Sequence, residues 1–372
     1  MRQLAPSVLL VLLLGCSSEP AVGDGLGAGG SGSSLGGTAG LGGTANTAGS
    51  GATSAGAGNN SGGTSTSTAG SASSSGAGGT SAGGSSTTGG SGANAGGNTN
   101  AGSAGASGGS GGQATTPDVK VLLAGDNVNA NGPLQTTVQD LDFSGGGHIL
   151  VRPTTLTTEP NTKHPVAIWG PGGGTPPRDY LQLLTRMASQ GFVIVGIRVS
   201  TGDAVLMSAA IDWLEDQDAD SNSPLHDRLI LDRVGVFGHS MGGLSSEATA
   251  QSDDRVSTAL LDNSGSLSHN GLVDVKIPVG IIYGETGQEK PNAEGDYNNA
   301  GNKGPLWLSM MKGGGHGSGP WDGAGANVAW MRWHLGGENS RKAEFLSTGG
   351  DYTTGIWQAQ FKNWDGWKNW NE

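Results

Sequence analysis

Past residue 116 the chain alternates between short apolar runs of strand length and stretches with helical spacing, the pattern of a sheet with crossover helices. Thr136–Phe143 and His148–Arg152, joined by Ser144-Gly145-Gly146-Gly147, predict an antiparallel hairpin at a sheet edge. Pro165–Trp169 predicts a buried strand running into a loop from Gly170 to Pro177. Asp179 is placed to cap a helix carrying Tyr180, Leu183, Leu184 and Met187 on one face. Gly191 ends that helix, Phe192–Ile197 is the next strand, and Asp203 opens a helix through Ala209, Ala210 and Trp213. Arg233–Phe237 predicts a strand, followed at once by Gly238-His239-Ser240-Met241-Gly242-Gly243 and a helix to about Gln251. Strands are expected at Ser257–Leu261, Val279–Tyr283 and Leu306–Met310, with a final helix over Ala326–Leu335. The spacing between Leu261 and Val279 leaves no room for a helical lid, so the cleft is expected to be open.

The first part of the chain has another character. Val8–Leu14 is apolar but too short to span a bilayer, and it follows a weakly basic start. It ends at Leu13-Leu14-Gly15-Cys16, which resembles a bacterial lipobox; Cys16 is the expected lipidation site and residues 1–16 the lipoprotein signal peptide. The chain has 1 cysteine, so no disulfide is expected within it. Residues 17–116 are almost entirely Gly, Ser, Ala, Thr and Asn, and hold 34 of the 72 glycines. Such a segment has too little apolar surface to offset the entropy of ordering its backbone, and predicts a disordered tether. A coil of that length spans roughly 50–60 Å. These features lead to the expectation of a folded domain, 117–372, outside the cytoplasm and anchored to the cell envelope by lipid. The formal net charge of −12 and the lack of a Lys/Arg cluster argue against nucleic acid as a partner. The membrane enters only through the lipid on Cys16.

The densest chemistry lies at Gly238-x-Ser240-x-Gly242. A nucleophilic serine on a strand-to-helix turn needs its hydroxyl exposed and its neighbours small, and glycines two before and two after supply that clearance. The following helix aims its first amides at charge that develops during attack. The N–H of Met241 is the first expected oxyanion donor, and the second comes from Gly173 or Gly174 in the loop after the earlier strand. His316, glycine-flanked and after the last strand of the alternation, is the expected general base. His334 falls on the last helix among tryptophans and reads as packing. The acid that orients the histidine should follow the strand Val279–Tyr283. Glu285 is closest to the strand end and stands first, Asp262 second, with Glu289 and Asp274 behind them.

With these residues the chain resembles the cutinase, polyethylene terephthalate hydrolase and dienelactone hydrolase branch of the α/β-hydrolases, over Phe143 to Leu335. Pro171-Gly172-Gly173, Gly191-Phe192-Val193-Ile194, the elbow around Ser240, and His316 carry the resemblance. It implies an α/β-hydrolase fold with a mostly parallel sheet flanked by helices, and ester cleavage through an acyl-enzyme without metal or cofactor. Two positions depart from it. Polyester hydrolases of this branch carry Phe or Tyr where this chain has Gly173, and their acid aligns on Gly287, which has no carboxyl. A displaced or absent acid and a small or moderately sized ester substrate, free or carried on a polymer, follow as expectations. Lactones or amides are rival substrates for the same site. The tail tryptophans Trp357, Trp364, Trp367 and Trp370 raise a third reading, a carbohydrate- or surface-binding module without turnover, although docking of the tail is the simpler account of them.

Overall fold

The computed structural model describes residues 119–372. The expected signal peptide, Cys16, the linker 17–116 and the first two residues of the 117–372 domain lie outside the described residues. In chain order the strands and helices are β1 (Lys120–Val121), β2 (Thr136–Leu141), β3 (His148–Pro153), β4 (Thr162–Gly170), α1 (Leu181–Ser189), β5 (Val193–Gly196), α2 (Val205–Ala219), β6 (Leu229–His239), α3 (Met241–Ser252), β7 (Val256–Asp262), β8 (Val279–Gly284), α4 (Lys290–Asn298), β9 (Leu306–Met311), α5 (Ser318–Trp321), α6 (Ala324–His334), α7 (Lys342–Leu346) and β10 (Trp357–Lys362).

The sheet runs β10-β9-β8-β7-β6-β4-β5-β3-β2, and β1 pairs separately with β4. From β5 to β9 all pairings are parallel, while β2, β3 and β10 pair antiparallel at the two edges. The strands of the parallel part are buried on both faces, so their side chains alternate between two apolar layers. Ala167 and Trp169 of β4 join Phe237, Leu183, Leu184 and Met187 on one face. Val166 and Ile168 join Met207, Ala210, Ile211 and Leu214 of α2 on the other.

This arrangement fixes where a ligand fits. The chain leaves β4 toward α1 on one face and leaves β6 for α3, which packs beside α2 on the opposite face. Connections that diverge from adjacent parallel strands open a crevice at their carboxyl ends. Glycine allows α3 to lie close over that crevice: a Cβ on Gly242 would come within 1.9 Å of the Gly170 carbonyl oxygen.

The alternation of the sequence reappears in this order, including the β2–β3 hairpin and the absence of a helix between β7 and β8. Strand β1 and helices α5 and α7 have no counterpart among the expected elements, so Ala326–Leu335 is not the final helix, and three further features differ. Asp179 does not cap α1; it lies inside a 3₁₀ turn, Pro177–Tyr180, because Pro176 and Pro177 start a tighter turn before the helix proper. Helix α4 follows β8 at a stretch too polar to show an apolar face. The tail supplies strand β10, paired with β9 along its whole length.

The tail tryptophans pack on the domain. Trp357 is buried, the Trp364 indole N–H donates to the Leu306 carbonyl (3.0 Å), and Trp367 meets Trp333 edge to face. Trp370 is 46 % exposed, yet Arg233 lies 3.6 Å over its ring and its N–H donates to the His334 carbonyl. His334 is buried among Trp330, Trp333, Trp364 and Trp367, a packing position, and burial holds its pKa well below the usual imidazole value.

Candidate active site

Ser240 occupies the turn between β6 and α3 with φ 54° and ψ −115°, a backbone conformation that costs a serine on the order of 1–3 kcal/mol. Its neighbours hold it there. The Ser240 N–H donates to the Asp262 carbonyl (2.9 Å), and the Ser240 carbonyl accepts from the Ser264 hydroxyl (2.7 Å) and the Gly243 N–H (3.0 Å). The side chain is left half-buried, facing the crevice.

His316 lies 3.0 Å from it, measured from Nε2 to Oγ. Its loop, Gly313 to Gly317, follows β9 and packs so closely on the end of β8 that a Cβ on Gly284 would meet the Gly315 carbonyl oxygen at 2.3 Å. The other imidazole nitrogen, Nδ1, is 2.7 Å from Glu289 Oε2. A carboxylate only accepts, so Nδ1 carries the proton and Nε2 is left to accept from the serine hydroxyl.

The carboxylate beside His316 is therefore Glu289, and neither Glu285 nor Asp262. Glu285 is exposed at the end of β8, and its Oε2 accepts from the Gly313 N–H (2.8 Å), bracing the histidine loop from outside. Asp262 points under the site, where Oδ1 accepts from Asn327 (3.1 Å). Complete burial raises its pKa to about 8, so it is a neutral acid at pH 7. Asp274 stays exposed on the segment between β7 and β8.

Glu289 reaches the histidine from the N-cap position of α4. Oε1 accepts from Asn263 Nδ2 (2.7 Å) and from the Gly284 N–H (3.2 Å). Burial pushes the Glu289 pKa up, but hydrogen bonds from His316, Asn263 and its own backbone outweigh that and hold it below the usual glutamate value. Gly287, the position with no carboxyl, leaves the space: a Cβ there would lie 2.1 Å from Glu289 Oε1. The empty Gly287 and the acid two residues later are thus one feature. The signal in the sequence was Gly287 followed by the longer acid just before Pro291. The part played by Asn263 carries no sequence signal of its own.

The expected oxyanion donors lie close together. A Cβ on Gly173 would lie 3.8 Å from Met241 Cβ, so the loop after β4 faces the residue after the serine. Among the described residues neither the Gly173 nor the Met241 N–H has an acceptor. Gly174 is at φ +72° and a Cβ on it would meet nothing within 4 Å, so of the two glycines Gly173 is the one that faces Met241. Among the described residues no group of three or more His, Cys, Asp or Glu is arranged to hold a metal ion.

A comparison with curated proteins finds no match. The PET hydrolase-like family matches residues 128–361, a span that contains Ser240, Glu289, His316 and both faces of the oxyanion crevice. Together with the mostly parallel sheet and flanking helices, that match shows that the chain belongs to the PET hydrolase-like family of α/β-hydrolases, a family of ester-cleaving serine hydrolases.

Proposed function

We propose that the protein hydrolyses carboxylic esters through an acyl-enzyme on Ser240, with His316 as general base and Glu289 as the acid that orients it. The observation that carries this reading is the continuous chain from Ser240 Oγ through His316 to Glu289, at 3.0 and 2.7 Å. In the first half-reaction Oγ bonds to the carbonyl carbon and its proton passes to His316 Nε2. The oxyanion takes hydrogen bonds from the Met241 and Gly173 N–H groups. The carbon–oxygen bond to the alcohol then breaks, and the alcohol leaves with the proton from His316. In the second half-reaction a water gives its proton to His316, attacks the acyl carbon and releases the acid, and Oγ recovers its proton. Glu289 stays ionised throughout and stabilises the imidazolium.

A small or moderately sized ester suits the cleft best. Gly173 and Gly174 leave one wall bare, and no helix between β7 and β8 covers the entrance. Trp321, 41 % exposed and edge-on to His239 at 5.7 Å, supplies apolar surface beside the histidine. The tail indoles that raised a module without turnover are docked on the domain, and Glu289 stands where a hydrolase needs an acid. The proposal includes the amino-terminal features: an exported domain, tethered by lipid on Cys16 through residues 17–116.

A fluorophosphonate, which bonds to an activated serine, tests the chemistry. Intact-mass and peptide analysis should show one adduct, on Ser240. An unlabelled wild-type protein, or an adduct on another residue, would refute the reading. Radiolabelled palmitate should enter the exported full chain and not its Cys16→Ala variant; equal labelling would remove the lipid anchor from the proposal.

A further inference from the structure

The histidine inside the elbow does more than fill the variable position of its motif. His239 is 5 % exposed and lies between Tyr180, Trp321 and His316. Its Nε2 is 2.8 Å from the main-chain carbonyl of His316, and its Nδ1 is 2.9 Å from the Tyr180 hydroxyl. That hydroxyl also accepts from the Gly172 N–H (3.0 Å). The proton positions follow from the partners. A carbonyl accepts only, so Nε2 carries the hydrogen. Burial keeps the ring neutral, its pKa lowered to about 4, so Nδ1 accepts and the tyrosine donates.

The result is a directed chain of three hydrogen bonds: Gly172 N–H to Tyr180, Tyr180 O–H to His239, His239 N–H to the His316 carbonyl. It joins the oxyanion loop and the neighbouring turn before α1 to the elbow and the histidine loop, both far from them in sequence. The oxyanion loop is shaped for it: a Cβ on Gly172 would lie 2.9 Å from both His239 Nδ1 and the Tyr180 oxygen, where it would displace their bond.

We propose that Tyr180 and His239 are positioning residues, which fix the His316 main chain to the oxyanion loop and so hold Nε2 within reach of Ser240. This inference rests on the ester hydrolase reading. Neither residue needs to exchange a proton with substrate. They act on the distance and angle of the Ser240–His316 bond, to which rate is steeply sensitive: a misplacement of about 1 Å can cost on the order of a hundredfold.

Kinetics on p-nitrophenyl acetate with the full chain test it, with kcat expressed per serine titrated by fluorophosphonate, so that loss of folded protein does not count. Tyr180→Phe and His239→Leu should each lower kcat per titrated serine by about tenfold to a hundredfold, with KM within about twofold. His239→Gln places an amide N–H near the site of Nε2 and should recover most of the loss relative to His239→Leu. Wild-type kcat in either Tyr180→Phe or His239→Leu, or a glutamine variant no better than the leucine variant, overturns the positioning role. Wild-type protein that fails to label at Ser240 overturns the underlying hydrolase reading instead, so the two failures are distinct.

Discussion

Ser240 is held in an unfavourable backbone conformation by bonds from both sides, and that strain is the cost of raising its hydroxyl clear of the strand. His316 then needs one carboxylate to fix its tautomer. Glu289 and Glu285 are four residues apart, and the structure separates their work: one bonds Nδ1, the other a loop amide. Glu289→Gln should lower kcat on a p-nitrophenyl ester by roughly 10³–10⁴-fold, since an amide at this place favours the wrong tautomer. Glu285→Gln should keep kcat within several-fold. The reverse order of losses would assign the acid to Glu285. The pairing of Ser240 with His316 was legible because it depends on glycines and on chain order. The carboxylate beside His316 was not, because its place depends on a side chain reaching back from the start of the helix that follows, and no strand-end rule encodes that reach.

At the scale of elements, the parallel strands were legible because burial on both faces makes them continuous apolar runs. Helix α4 and strand β10 were not. The first is polar, and the second is an edge strand in a short polar tail, whose docking was expected but whose pairing with β9 was not. In the β8–α4 connection Gly287 leaves the space that the Glu289 carboxylate fills. Gly287→Asp alone should impair activity, because its side chain enters the space of the Glu289 carboxylate. In a Glu289→Ala background the same Gly287→Asp change should recover at least about tenfold of the lost kcat, as expected for coupled neighbours. No recovery would show that the loop sets the acid's position independently of position 287. Across the crevice a Cβ on Gly173 meets only Met241, at an ordinary contact distance. Gly173→Tyr should therefore fold normally and shift the ratio of kcat/KM toward benzoyl over acetyl esters; an unchanged ratio would mean that this wall does not face the acyl group.

The whole molecule carries buried carboxyls outside the chemistry. Burial, with Asp296 as a second cause, raises the Glu247 pKa from 4.5 to about 8, and burial raises Asp262 from 3.8 to about 8. Folded protein thus keeps protons that the unfolded chain gives up near pH 4–5. Between about pH 5 and pH 8 the native state binds more protons, and these groups make stability fall as pH rises. The Tm difference between Glu247→Gln and wild type should move in favour of the variant from pH 5 to pH 8. A difference that does not change with pH would contradict the assignment.

The most direct test of the central claim is steady-state hydrolysis of a p-nitrophenyl ester by the wild-type protein and its Ser240→Ala variant. A serine acting within a triad predicts a loss of about 10⁶-fold in kcat. A variant that keeps a tenth or more of the wild-type turnover would place the chemistry elsewhere in the molecule.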